Sequence, residues 1–161
     1  MEDALIEFII QNKNINREKL EELFQRASEL GESIDQTIIK KGLFTEHEML
    51  TFYSDYLDLA YYESLAKFSV PEEFVENVSV AFARNYNLVG LEKTDGEMLV
   101  ATCRPLQLSP MDELSNILGV SVKPVLAPRV EISALINKAY QARNDLIEDT
   151  MKKSTKATST I

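Results

Sequence analysis

The chain has one cysteine and one histidine, too few nitrogen and sulfur ligands for a zinc cluster. Cys103 stands alone, so no internal disulfide can form, which suits a reducing compartment. Glycine is scarce: five residues, at 31, 42, 90, 96 and 119. None precedes a Lys-Ser or Lys-Thr pair at the spacing that wraps phosphates, and there is no GxGxxG. ATP turnover is therefore not expected of these residues. Basic side chains are outnumbered, 17 against 26 acidic, for a net charge of −9. A phosphate backbone wants a basic stripe, but the early helices carry Glu18, Glu21 and Glu22. Nucleic acid is not expected as a partner, nor is unaided binding to anionic lipid. Long hydrophobic runs are missing too: the first helix is apolar over about seven residues, where a membrane span needs about 20. Met1-Glu2-Asp3 offers neither a basic region nor a small-residue cleavage site, so it does not read as a signal peptide. A soluble, cytoplasmic chain is expected.

What the chain does have is 45% apolar residues, enough to fill a core, and an internal repeat. Leu5, Ile9, Ile10, Ile15, Leu20, Leu23 and Phe24 recur as Ile34, Ile38, Ile39, Phe44, Met49, Phe52 and Tyr53, an offset of 29 residues. Each copy reads as helix, turn, helix, with apolar residues three and four apart. Residues 3–12 form the first helix. Asn16 caps a second that runs to about Leu30 and stops at Gly31. Ser33 opens a third that ends at Gly42, which suits the left-handed position after a helix. Thr45 caps a fourth from Glu46, and Thr45 with Glu48 has capping-box spacing. Residues 56–62 read either as an extended crossing or as a continuation of that helix.

The second half changes character. Pro71 followed by Glu72 and Glu73 opens a helix that continues through Phe74, Val75, Val78 and Phe82 to about Asn85. Residues 88–91 and 98–101 read as strands. The Asp95-Gly96 turn between them calls for positive φ at both positions. A helix over 109–118, with Ser109 as cap and Gly119 at its end, leads to a third strand, 120–126. Pro124 marks that strand as an edge or a bulge. The strands flanking this helix should be parallel. A helix over 130–149 follows. The fold class is thus α+β: an all-helical double hairpin over 1–62, then a small three-stranded mixed-sheet α/β part over 63–149. The Ser/Thr/Lys-rich stretch 150–161 reads as a linker or disordered tail.

No set of side chains reads as a catalytic, cofactor or metal site. His47, between Glu46 and Glu48, reads as an exposed helix residue. Cys103 reads as a small buried hydrophobe at a strand end. Glu18 and Glu22 share one solvated face. Asp55, Asp58 and Glu63 are too dispersed for a calcium loop. Phe52, Tyr53, Tyr56, Tyr61 and Tyr62 read as core rather than a base-stacking platform, since no basic residues interleave them. One departure from the repeat stands out. Ile6 and Phe8 face Asp35 and Thr37 in the second copy. If the hairpins pack alike, the two are either an exposed apolar patch, and so the partner-binding residues, or covered by the rest of the chain.

The stretch Lys41-Gly42-Leu43-Phe44-Thr45-Glu46-His47-Glu48-Met49, in its double repeat, resembles the N-terminal (MshEN-like) domains of GspE/PilB-type type II secretion and type IV pilus assembly ATPases. Pro71-Glu72-Glu73-Phe74, the run 83–91, Met98-Leu99-Val100-Ala101-Thr102, Arg104-Pro105-Leu106, Asp112-Glu113-Leu114, Val125-Leu126-Ala127-Pro128 and Ile132, Ile136, Ala139 and Tyr140 continue the resemblance. It covers about residues 3–140. It implies a non-catalytic docking domain that recruits a motor to the cytoplasmic part of a GspL-like inner-membrane platform protein, peripheral to the membrane through that partner. The C-terminal ATPase domain of a longer chain would be its other partner. A pilus assembly N-domain is the alternative. Some members bind cyclic di-GMP with an Arg-Leu-Gly opening and a closing Gln in each copy. Here Ala4 and Ser33 stand at the Arg positions, Ile6 and Asp35 at the Gly positions, and Ala27 and Tyr56 at the Gln positions. Only Gly42 remains of the pattern, with Lys13 in its place in the first copy, so cyclic di-GMP is not expected as a ligand.

Overall fold

The computed structural model describes the backbone of residues 2–159, with side chains described over 4–33 and 36–148. The chain forms two compact units, Met1–Phe52 and Tyr53–Ile161. The division falls inside the fourth helix, ahead of the 62/63 boundary that the sequence suggests.

The first unit holds α1 (Glu2–Lys13), α2 (Arg17–Glu29), α3 (Ile34–Lys40) and the greater part of α4 (Glu46–Leu57). Local chemistry sets their ends. Asn16 Oδ1 accepts from the Glu18 N–H at 2.8 Å, which satisfies one of the unpaired donors at the start of α2. Gly31 at φ +75° and Gly42 at φ +69° take the left-handed conformation after α2 and α3, where a Cβ would be strained. Two capping boxes are present. Thr45 Oγ1 accepts from the Glu48 N–H and the Glu48 carboxylate accepts from the Thr45 N–H, both at 3.2 Å. Ser33 and Gln36 make the same reciprocal pair, which capping-box spacing would have revealed. Leu5, Ile9, Leu20, Phe24, Ala27, Ile38, Phe44, Met49 and Leu50 are buried, each contributing roughly 1.5–3 kcal/mol for the larger side chains.

In the second unit α4 ends at Leu57, and Asp58 turns the chain at φ +54°. Beyond it the backbone is extended, so 56–62 divides between its two readings. Ala60 C=O accepts from the Leu126 N–H at 2.7 Å, and the Tyr62 N–H donates to Leu126 C=O at 2.8 Å. Then come α5 (Glu72–Asn77), α6 (Val80–Tyr86), β1 (Leu88–Thr94), β2 (Glu97–Thr102), α7 (Ser109–Leu118), β3 (Ser121–Leu126) and α8 (Arg129–Ser159). The sheet order is β1-β2-β3. The hairpin is antiparallel, and β2 and β3 are parallel, as the intervening helix requires. Pro124 lies on an edge strand, opposite Val100. α8 packs on β1, β2, α5 and α6, and α7 packs on β3 and α5.

Four local expectations are corrected. The helix expected from 72 to 85 is two helices, because Val78 is extended (φ −111°, ψ 124°) and Ser79 caps a new start by accepting from the Phe82 N–H at 3.1 Å. At the hairpin turn only Gly96 has positive φ, which meets the requirement of a type II turn rather than its mirror-image alternatives. Ser109 is the first residue of α7, and its N-cap, Leu108, provides no side-chain bond. Finally, α8 does not end at 149 but continues to Ser159. No Gly or Pro interrupts 129–159, so the Lys- and Ala-containing stretch that reads as a linker has no residue that stops a helix.

Candidate functional site

His47 is exposed in the first turn of α4, and Cys103 is buried just after β2. Glu18, Glu21 and Glu22 are exposed on α2, as are Asp55, Asp58 and Glu63 beyond it. Among the described residues no three His, Cys, Asp or Glu side chains converge as metal ligands. Phe52 and Tyr53 are buried, whereas Tyr56 is 49% exposed, so the five aromatics do not present one face. Tyr62 meets Phe68 edge-on at 5.4 Å, with the Lys67 ammonium 5.2 Å from each ring centroid.

Ile6 and Phe8 read from the sequence either as an exposed apolar patch or as residues covered by the rest of the chain, and their burial favours cover. Ile6 is 4% exposed. Phe8 is half-buried, its ring centroid 5.5 Å from that of Phe44 and 4.9 Å from that of Phe52. Polarity in the second copy does not mark solvent there. Thr37, the repeat equivalent of Phe8, is itself 2% exposed. Its hydroxyl donates to the Ser33 carbonyl at 3.0 Å and so needs no water.

The structure also assembles a surface that the sequence did not single out. At the end of α1, the Lys13 ammonium lies 5.7 Å from the Phe44 centroid and 3.2 Å from Glu48 Oε2. The same Glu48 carboxylate closes the capping box of α4. The Thr45 backbone N–H first, and Lys13 second, hold the Glu48 carboxyl below the ordinary carboxylate range. Arg17, at the start of α2, reaches Glu7 of α1 and stands 3.7 Å from Glu21. These exposed pairs contribute little stability each. Lys13 is the one of these charges that lies against the Phe8–Phe44–Phe52 cluster, in which Phe44 and Phe52 are buried and Phe8 is half-buried. The only sequence signal was an anomaly, Lys13 where the second copy has Gly42.

The MshEN domain profile matches residues 57–146. Over 149 residues the chain is 22% identical to the type IV pilus assembly ATPase PilB of Myxococcus xanthus (strain DK1622). That alignment covers 92% of this chain and 26% of the relative, so the chain spans about a quarter of that protein. Among solved structures, MshE with cdg superposes with a TM-score of 0.69 at 20% identity, covering 84% of this chain and 98% of that one. The N-terminal domain of XpsE superposes in two crystal forms, with TM-scores of 0.70 and 0.59 at 19% identity. These cover 86% and 84% of this chain and 95% and 94% of theirs. At these identities the likeness concerns the fold.

Proposed function

The chain belongs to the MshEN domain family, as an N-terminal domain of the GspE/PilB type of ATPase, and from that premise we propose that it is a docking module. In this reading it holds a secretion motor against the cytoplasmic part of a GspL-like inner-membrane platform protein. The profile match over 57–146 carries the reading, and the sequence of the chain, which has no phosphate-wrapping loop, agrees with it. The hydrolytic work then belongs to the C-terminal ATPase domain of a longer chain. Placement is cytoplasmic and peripheral to the membrane, through the protein partner. The PilB similarity supports the same role in pilus assembly, with the platform protein exchanged.

Docking by such a domain rests on apolar burial at a few side chains, with polar neighbours selecting the partner. Phe8 keeps part of its ring in solvent and is the proposed contact. Ile6 is buried, and its role is stability. With the purified cytoplasmic domain of a GspL-like protein from the same organism, calorimetry should give saturable binding. Phe8→Ala should weaken it at least fivefold with the circular dichroism unchanged. Ile6→Asp should instead lower the melting temperature, since it places a charge in the core. Absence of binding by the unmodified chain overturns the platform reading, and unchanged affinity in Phe8→Ala removes that residue from the contact.

A further inference from the structure

We infer that a groove between α5 and the middle of α8 receives a basic amphipathic helix from a partner protein. The groove lies wholly within the second unit, so the inference stands apart from the platform reading. It has a volume of about 380 Å³. Val70, Val75, Ala139 and Ala142 line it, and Leu146 and Ile147 form its lip, 62% and 43% exposed. An adjoining hollow of about 200 Å³ shares Val70, Val75, Ala139 and Ala142 and extends along α8 to Leu135. Leu135, Ala139, Ala142 and Leu146 recur at spacings of four, three and four, one stripe along a helix. From 135 to 147 that stripe is about 18 Å long, enough for about three turns of a second helix. The two alanines let its backbone come close.

Charge selects the occupant. Glu72 and Glu76, four residues apart on α5, stand on the rim and are exposed. Neither makes an ion pair among the described residues. Carboxylates at this spacing repel each other by a few tenths of a kcal/mol. Glu76 also sits in the last turn of α5, where the helix dipole disfavours an anion. Arg143, whose Nη1 donates to the Val75 carbonyl at 2.6 Å, is the one cation among the residues lining the groove and offsets one of the two carboxylates, so the lining stays net negative. Lys or Arg on an incoming helix would relieve both carboxylates while its aliphatic stripe covered Leu146 and Ile147. Lys138 at the opposite end favours an acidic residue there and so fixes the helix direction. An anionic lipid surface is repelled by the same rim. A second copy carries the same net charge of −9 and is disfavoured for that reason.

The test is fluorescence anisotropy of the full chain with a labelled peptide of about 14 residues, bearing leucines at helical spacing and lysines on the flank. A scrambled peptide of the same composition and a Leu/Glu counterpart serve as controls. The amphipathic Lys/Leu peptide should bind saturably at physiological salt, and both controls at least tenfold more weakly. Glu72→Lys with Glu76→Lys should cost at least tenfold, as should Leu146→Gln with Ile147→Gln, each with unchanged circular dichroism. Equal binding of the scrambled peptide, or unchanged affinity in either double variant, overturns the proposal. So does sedimentation showing self-association that the Glu72/Glu76 variant abolishes, which would give the groove to a second copy. Binding to anionic vesicles in place of the peptide does the same for a membrane.

Discussion

At Gly90 the space for a side chain is absent. A Cβ there would lie 2.9 Å from both Met98 Sδ and Phe74 Cδ2, and φ is not the constraint. The missing side chain lets the Phe74 ring of α5 lie directly on β1. Leu91, beside it, is the extra residue of a bulge, since Gly90 pairs with Val100 and Glu92 with Leu99. Gly90→Val should destabilise the chain by about 2–3 kcal/mol through overpacking, read as a lower urea midpoint at unchanged slope. A loss below about 0.5 kcal/mol, inside the range of ordinary surface changes, would mean that Phe74 moves aside freely. The sequence places this glycine inside a strand, where an isolated glycine signals a bulge or a close approach, but it does not name the approaching ring, because the contact joins α5 to the sheet across intervening chain. The same limit acted at Thr37 and Phe8. Residue type fixed their polarity, whereas their burial was decided by helices that pack from elsewhere.

Elements were legible where their ends are made locally. Asn16, Ser33, Thr45, Gly31, Gly42 and Gly119 each mark a boundary that the structure keeps, because a cap involves atoms only a few residues apart. The α5–α6 break was missed since Val75, Val78 and Phe82 keep helical spacing across it. Its cause lies on α8: the Tyr140 hydroxyl donates to the Val78 carbonyl at 2.6 Å, and Arg143 takes the Val75 carbonyl. These two side chains satisfy carbonyls that a continuing helix would have paired itself. Burial of Tyr140 pushes its phenol up to about 12 against a smaller opposing effect of Arg143. The unfolded chain therefore gives up this proton first, near the ordinary value of about 10. Stability from this group is complete below pH 10 and falls as pH rises through about 12. Tyr140→Phe should cost about 1–2 kcal/mol at neutral pH by leaving the Val78 carbonyl unpaired. It should also flatten the alkaline limb of a stability–pH curve, and an unaltered limb would remove Tyr140 as its source.

For the whole molecule, the order of elements and the mixed sheet followed from the sequence, as did the family. The boundary between the two units lies inside a helix. α4 runs through Phe52 and Tyr53 without a break, so no turn residue announces the boundary there. Among the described residues no helix is long and apolar enough to cross a membrane. Ligand capacity belongs to this scale too, since in the resemblance each repeat copy contributes an Arg-Leu-Gly opening to cyclic di-GMP. Ala4 and Ser33 have no guanidinium to offer, and the Ser33 hydroxyl already caps α3. Titration with cyclic di-GMP at high micromolar concentration should therefore give no heat of binding. A saturable isotherm would restore the nucleotide-sensor reading.

The bonding of Leu126 has one further consequence. With its amide and carbonyl both committed to 60–62, the far end of β3 has no free template on which a stray strand could grow. At the opposite margin Glu92 and Lys93 are exposed on β1, and charged residues there discourage stacking by other chains. Copies of this chain held together would thus have to be joined through side-chain surfaces, and crowding would not drive the sheets to fuse into fibres.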